Sequence, residues 1–209
     1  MIIYPKARLL LPLVAALALS ACMAPFEARV ARFQQLPPPS GTSFVIEPRD
    51  KTNEGGLEFA TYAILVRQKL VAAGFQEAAN ADSAALTVQL DYHVSAPREK
   101  VQSRLGMGWG GGFGGLGGFG GWGGGWNNEV YSVTNYNTVV AMRINRNADK
   151  QSVFEGRAET VSNSNNLTRL VPNLVTAMFT NFPGSSGETV RVRFDPAKPD
   201  VAPTVKPVR

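Results

Sequence analysis

The sequence predicts an α+β fold, a two-layer sandwich in which a mixed, mostly antiparallel sheet carries two amphipathic helices on one face. Two segments repeat apolar residues at helical spacing, and several others alternate apolar with polar residues. The predicted order is strand, helix, three strands, helix, strand. One-sided strands need a covering layer, and amphipathic helices supply it.

Two segments have the helical period. In residues 57–73 the apolar side chains fall on one face, and Gly74 provides a stop. In residues 167–182 they form one broad stripe, preceded by polar residues suited to capping the helix. Pro172 predicts that this helix begins only a few residues earlier, because proline is tolerated chiefly in the first turn.

The strand patterns are clearest where polar and apolar residues alternate strictly, as in residues 86–94. A turn at residues 147–150 joins two of the strands as a hairpin. The predicted strands are 43–47, 86–94, 131–146, 152–161 and 190–194. A further short strand at Arg29–Phe33 could sit at either edge of the sheet.

The amino terminus has the pattern of a secretory signal. Lys6 and Arg8 precede an uncharged apolar run that ends at Leu19-Ser20-Ala21-Cys22. The run is shorter than the roughly 20 apolar residues that a membrane-spanning helix needs. An ordinary signal peptide with an incidental cysteine is the alternative interpretation.

This segment closely resembles the signal of bacterial lipoproteins. The resemblance implies diacylglyceryl transfer to the Cys22 thiol, cleavage before Cys22 and acylation of the new amino terminus by fatty acids such as palmitate. Several acyl chains hold a protein firmly on a membrane. In such lipoproteins an aspartate after the cysteine signals retention in the inner membrane, so Met23 favours the periplasmic side of the outer membrane.

Composition excludes several kinds of site. Cys22 is the only cysteine and His93 the only histidine, so disulfides, zinc sites and the usual catalytic constellations lack their residues. No calcium-loop motif is present, and we expect no metal, cofactor or catalytic residue. Loss of Lys6 and Arg8 with the signal lowers the formal charge from +5 to +3. An exported protein rarely meets nucleic acid, so anionic lipid or polysaccharide is the expected counterpart if this mild charge has one; a solvated surface with a slight excess of Lys and Arg is the favoured alternative.

A glycine/aromatic tract occupies residues 106–126 and contains all three tryptophans of the chain. Dense glycine has too much backbone freedom to fold alone. The tract is therefore predicted to be a loop, either without a partner or in contact with a membrane, protein or glycan. The candidate contact residues are Trp109, Phe113, Phe119, Trp122 and Trp126.

These patterns divide the chain into four parts. Residues 1–21 are the signal peptide, residues 22–42 the lipid anchor with an extended segment, and residues 43–195 the α+β domain, interrupted by the tract. Residues 196–209 are rich in proline and are predicted to form a disordered tail.

Short motifs across residues 44–194 resemble the bacterial lipoprotein family catalogued as domain of unknown function 4136. They are Leu70-Val71-Ala72-Ala73-Gly74-Phe75, Ala81-Asp82, Phe154-Glu155-Gly156-Arg157-Ala158 and the segment from Phe179 to Pro183. The resemblance implies a small envelope lipoprotein without an assigned activity, and it contributes almost nothing on mechanism.

Three functions remain open from the sequence. The first is a non-catalytic, lipid-anchored protein whose periplasmic domain binds another envelope component. The alternative makes the glycine/aromatic tract a membrane-inserting or self-association element. The third is a hydrolase that uses carboxylates such as Glu155 and Glu159, which share a strand face with Arg157. Alternating charges on a strand are more often a solvated face.

Overall fold

The computed structural model describes residues 25–105 and 128–208. These residues form one nine-stranded sheet and two α-helices. The strands are β1 (Phe26–Gln34), β2 (Ser43–Pro48), β3 (Gln76–Glu77), β4 (Leu86–Val94), β5 (Arg98–Leu105), β6 (Asn128–Arg146), β7 (Ser152–Ser162), β8 (Glu188–Phe194) and β9 (Thr204–Pro207). The helices are α1 (Leu57–Ala72) and α2 (Leu167–Phe179).

The sheet is mixed and mostly antiparallel, which confirms the predicted fold class. Its strand order is β3-β2-β4-β6-β7-β1-β8-β9, and β5 pairs with β6 alone. The two parallel pairs are β2 with β3 and β2 with β4. The crossover from β2 to β4 passes through α1, as a parallel connection requires.

Both helices pack against the sheet and share one hydrophobic core with it. Alternate residues of the strands point into this core, so each strand has one buried side and one opposite side. The largest fully buried apolar side chains of this core are Val30, Phe44, Tyr62, Leu70, Leu86, Leu90, Met142, Ile144, Phe154, Leu174 and Met178. Asn166 begins α2, since its Oδ1 accepts a hydrogen bond from Arg169 N at 3.2 Å.

The domain is longer at both ends than the sequence predicts. β1 lies inside the sheet, between β7 and β8, so the predicted boundary at residue 43 and the predicted edge position of this strand are wrong. The predicted disordered tail is also wrong for Thr204–Pro207, which form β9 along β8. The ladder hydrogen bonds to β8 order this segment despite its proline content.

β5 and the first part of β6 form a two-stranded ribbon, with residues 98–105 paired to residues 128–135. The rest of β6, residues 136–146, pairs with β4 and β7 inside the sheet. The ribbon thus continues from the sheet along one strand of 19 residues. β6 and β1 are both antiparallel to β7, so the ribbon leaves the sheet at the end where β1 begins.

Arg32 is a charged residue in a core position and is only 1% exposed. Its Nη2 donates to the carbonyl oxygens of Met178 and Thr180 at 2.9 and 2.7 Å, and its Nη1 contacts Glu188 Oε1 at 2.7 Å. The guanidinium therefore satisfies carbonyls at the carboxyl end of α2, where the helix dipole favours a cation. Arg32 ties β1, α2 and β8 together.

Candidate functional site

The sheet face opposite the helices, called the open face here, is the candidate functional site. It carries the outward side chains of β1, β4, β6, β7, β8 and β9, and most of these are polar or charged. Large apolar exceptions are Phe33 and Val161, which are 60% and 68% exposed, and Val139, which is buried among its neighbours on this face. Within the described residues, no helix covers this face.

A depression of about 320 Å³ lies at the middle of the open face and is called the central groove. Small residues form its floor, because Ala31 and Ala141 leave room between longer side chains on either side. The longer side chains around it are Phe33, Arg49, Gln89, Asp91, His93, Arg143, Glu155 and Arg157. The groove thus combines a small apolar floor with polar and charged walls.

Ion pairs hold the charged side chains of the central groove in place. Arg143 Nη2 lies 2.9 Å from Glu155 Oε1, and Arg157 Nη2 lies 3.2 Å from Glu159 Oε2. These cross-strand and same-strand pairs are partly exposed, so each contributes little to stability. Their effect is to order guanidinium and carboxylate groups around the groove.

The arrangement gives no support to a paired-carboxylate hydrolase. Glu155 and Glu159 do share a face with Arg157, as the sequence predicts, but they lie four residues apart on an extended strand. That spacing separates their backbones by about 13 Å, whereas glycosidase carboxyl groups are about 5–10 Å apart. Each carboxylate is also paired with an arginine, Glu155 with Arg143 and Glu159 with Arg157.

His93 lies on the open face at the edge of the central groove, on the polar side of β4 as predicted. Its side chain is 53% exposed, and Nδ1 is 3.7 Å from Asp91 Oδ2. No Ser, Thr, Cys or Lys is among the residues lining the groove. The groove lining therefore places no hydroxyl, thiol or amine nucleophile beside this histidine.

A second feature of the open face is the basic cluster, formed by Arg29, Arg191, Arg193 and Lys206. Arg191 of β8 lies directly opposite Arg29 of β1 on one side and Lys206 of β9 on the other. Arg193 is opposite Glu27, which contacts Arg191 Nε at 3.3 Å. A cleft lined by Glu27, Thr204 and the β8 and β9 members of the cluster lies between these side chains.

The candidate site residues predicted from the sequence fall outside the described part of the chain. Cys22 lies in residues 1–24, and Trp109, Phe113, Phe119, Trp122 and Trp126 lie in residues 106–127. Among residues 25–105 and 128–208, no three His, Cys, Asp or Glu side chains are grouped closely enough to hold a metal ion. None of the helices described is both long and apolar enough to cross a bilayer.

Sequence reasoning missed the open face as a site. Strand alternation does reveal that residues such as Arg143 and Arg191 are outward, but it does not say which outward residues meet. That depends on the strand order, and above all on the interior position of β1 and on β9, which brings Lys206 beside Arg191.

The model of one protein family matches residues 31–184, about three quarters of the chain. The chain belongs to this family, DUF4136. Its description is "Domain of unknown function", so membership assigns no activity. The match ends beyond α2 and excludes β8 and β9, which lie outside the family model.

The DUF4136 chain is also similar to individual proteins. A 60-residue segment is 40% identical to an uncharacterized protein of Zymomonas mobilis, covering 27% of this chain and 23% of that protein. A PDZ domain protein from Parabacteroides distasonis aligns over 87% of this chain and 42% of its own, with 15% identity and a TM-score of 0.46. A PelC dodecamer subunit from Paraburkholderia phytofirmans aligns over 71% and 92%, with 11% identity and a TM-score of 0.38.

Proposed function

We propose that this DUF4136 protein is a lipid-anchored lipoprotein on the periplasmic side of the outer membrane, and that its open face binds another envelope component without catalysing a reaction. The partner is an envelope protein or a glycan. The observation that carries the binding role is the central groove, an ordered, charge-rimmed depression on a sheet face that no described helix covers.

The proposed anchor is supported by the segment Leu19-Ser20-Ala21-Cys22, which has the pattern of a bacterial lipoprotein signal and is called the lipobox here. It is also supported by the short distance along the chain from Cys22 to β1. β1 begins at Phe26, four residues after Cys22. Four extended residues span at most about 14 Å. A lipid on Cys22 would therefore hold the β1 end of the sheet close to the membrane.

The binding role is supported by the chemistry of the central groove. Guanidinium groups of Arg143 and Arg157 supply fixed hydrogen-bond donors, and the carboxylates of Asp91 and Glu155 supply acceptors. Phe33 adds an exposed ring at the groove, on which a sugar ring or an apolar side chain could stack. Donors, acceptors and an aromatic surface together suit a polar partner such as a glycan or a protein loop.

Site-specific photo-crosslinking in intact cells tests this role. A crosslinking amino acid at Ala141, on the groove floor, should capture a reproducible envelope partner. The same amino acid at Val71, which is 51% exposed on α1, is the matched control and should capture none or a different set. Failure of Ala141 to capture any partner beyond those of Val71, across growth conditions, would contradict the proposal.

A second candidate function gives the glycine/aromatic tract the leading role, as a membrane-inserting or self-association element. The favouring observation is the ribbon: it extends eight residue pairs past the sheet, from the end where β1 begins. Eight residues of strand span about 26 Å, which is more than the roughly 14 Å tether to Cys22. A ribbon continuing along the axis of β6 would therefore bring Leu105 and Asn128 to the membrane surface.

Tryptophan fluorescence separates these roles, because all three tryptophans lie in the tract. Insertion should shift the emission to the blue when liposomes are added. Self-association should instead raise the sedimentation coefficient of the purified protein and disappear when residues 106–126 are deleted. No blue shift removes the membrane role, and an unchanged sedimentation coefficient after the deletion removes the self-association role. Circular dichroism of the deletion variant checks that the domain remains folded.

A further inference from the structure

We propose that the basic cluster binds the phosphate groups of anionic phospholipids and so holds the β1, β8 and β9 part of the open face against the membrane. This inference rests on the proposed anchor at Cys22 and adds to it a second, electrostatic contact with the same bilayer. The expected ligand is a surface of phosphate monoanions, and no specific lipid is implied.

Most of the positive charge of the basic cluster is not compensated by neighbouring carboxylates. Like charges directly opposite each other on neighbouring strands repel, yet Arg29, Arg191 and Lys206 occupy one row across three strands. Within the described residues, neither Arg193 nor Lys206 has a carboxylate within 4.0 Å. An anion bound between these side chains removes the repulsion.

The carboxylates near the cluster leave most of its charge free. Glu27 contacts Arg191, and Glu159 lies 3.9 Å from Arg29 but only 3.2 Å from Arg157 of the central groove. The groove is close to balanced: its lining has three arginines and two carboxylates, and a third carboxylate, Glu159, pairs with Arg157 from outside the lining. The excess positive charge of the open face is therefore concentrated on β1, β8 and β9.

The basic cluster lies close to the end of the sheet that the tether to Cys22 joins. Glu27 and Arg193 lie one residue from the ends of β1 and β8, and Arg29 lies three residues into β1. That places the cluster within about 10 Å of the sheet end, to which the tether of about 14 Å from Cys22 is attached. Because about 14 Å is the greatest span of the tether, the sheet end can approach more closely and bring these charges within a Debye length, about 8–10 Å, of an anionic headgroup layer.

The side chains of the basic cluster are of a type that binds phosphate. Three of the four cations are arginines, whose planar guanidinium groups bind phosphate oxygens through two parallel hydrogen bonds. All four side chains are exposed, so they can reach a surface without any rearrangement of the sheet. A row of cations across three flat strands matches an extended anionic surface better than a single enclosed ion.

Protection of Lys206 from acetylation tests the proposal on the intact lipidated protein. The protein is reconstituted with vesicles of phosphatidylcholine, or of phosphatidylcholine with about 30% phosphatidylglycerol, and treated briefly with an amine-reactive reagent. Mass spectrometry should show Lys206 reacting at least about fivefold more slowly on the anionic vesicles. Lys69, exposed on α1 on the other side of the sheet, should react equally on both.

Two double variants separate the cluster from general charge. Arg191→Gln with Arg193→Gln should abolish the protection of Lys206. Arg49→Gln with Arg143→Gln removes the same charge from the central groove and should preserve it. Equal Lys206 rates on the two vesicles, protection that survives in the first variant, or protection lost in the second variant would each overturn the proposal.

Two further arms identify the source of the phosphate and isolate the anchor. Protection of Lys206 by inorganic phosphate alone, at the same phosphate concentration, would indicate a small-anion site and overturn the assignment to a lipid surface. Flotation with pure phosphatidylcholine vesicles depends on the acyl chains and not on charge, so its failure overturns the anchor alone. Lys206 rates are measured on the whole suspension, and equal rates overturn the cluster proposal whether or not the protein floats.

Discussion

At the scale of single residues, Arg32 is the side chain whose loss should be most damaging. It is buried, and it bonds carbonyls at the end of α2 and the carboxylate of Glu188. Arg32→Ala leaves that carboxylate and those carbonyls without their partner, and we expect the free energy of unfolding to fall by about 3–5 kcal/mol. Chemical denaturation followed by circular dichroism measures this change.

The matched control is Arg29→Ala, three residues earlier in the same strand but on the open face. Its side chain is 56% exposed and its nearest carboxylate oxygen is 3.9 Å away. We expect a change of less than about 0.5 kcal/mol. Equal effects of the two substitutions would show that Arg32 does not tie α2 to the sheet.

Tyr62 predicts how the stability responds to alkaline pH. Burial, and then the hydrogen bond that its hydroxyl donates to Glu58 Oε1 at 3.0 Å, raise the pKa of Tyr62 well above its usual value. In the unfolded chain the phenol ionises near pH 10, so the folded state then holds more protons than the unfolded state. The stabilising contribution is complete below about pH 10 and is lost as the pH rises further.

Denaturation midpoints measured from pH 8 to 11 should therefore fall above about pH 10 in the unmodified protein. Tyr62→Phe keeps the ring and its edge-to-face contact with Tyr92 but removes the ionisable group. The variant should lose less stability over the same range. Tyr92 contributes to the residual slope, because burial also raises its pKa. Parallel curves for the two proteins would refute this explanation.

At the scale of secondary-structure elements, α2 contains a proline in its second turn, one turn further in than the position where proline is well tolerated. Pro172 lacks the N–H that an interior helical position donates. Because the residue is only half-buried, Pro172→Ala creates no large cavity and should stabilise the protein by up to about 3 kcal/mol. Thermal unfolding measures the gain; a lower midpoint would mean that the ring itself is needed for packing.

The elements with a strong period are predicted well from the sequence, and the weak ones are not. β4 matches its predicted bounds because burial on one face dictates its side-chain pattern. α1 also matches to within one residue, although Leu57, Ile64 and Val71 are apolar and exposed on its outer side. β5 and β9 were not predicted. Their backbones are ordered by ladder hydrogen bonds to β6 and β8, and a partner strand leaves little trace in the sequence of the strand it pairs with.

At the scale of the whole molecule, the candidate site depends on strand order more than on any motif. Arg29, Arg191 and Lys206 are far apart in sequence and meet only because β1 is inserted between β7 and β8 and β9 is added at the edge. The short strands β3 and β9 also leave little unpaired edge at either side of the sheet, which limits edge-to-edge association.

The proposed membrane anchor would fix how the domain is oriented at the bilayer. The lipobox would place the β1 end of the sheet at the bilayer, and the ribbon and the basic cluster both lie toward that end. Without the anchor, the central groove would still be a binding surface, but its position in the cell envelope would be undetermined.

The most direct measurement is the intact mass and amino-terminal peptide of the protein purified from envelope membranes. We expect the polypeptide to begin at Cys22 and to carry the added mass of a diacylglyceryl group and an amide-linked acyl chain, and Cys22→Ser should abolish that mass. A polypeptide that begins at another residue, or that begins at Cys22 without acyl mass, would contradict the account.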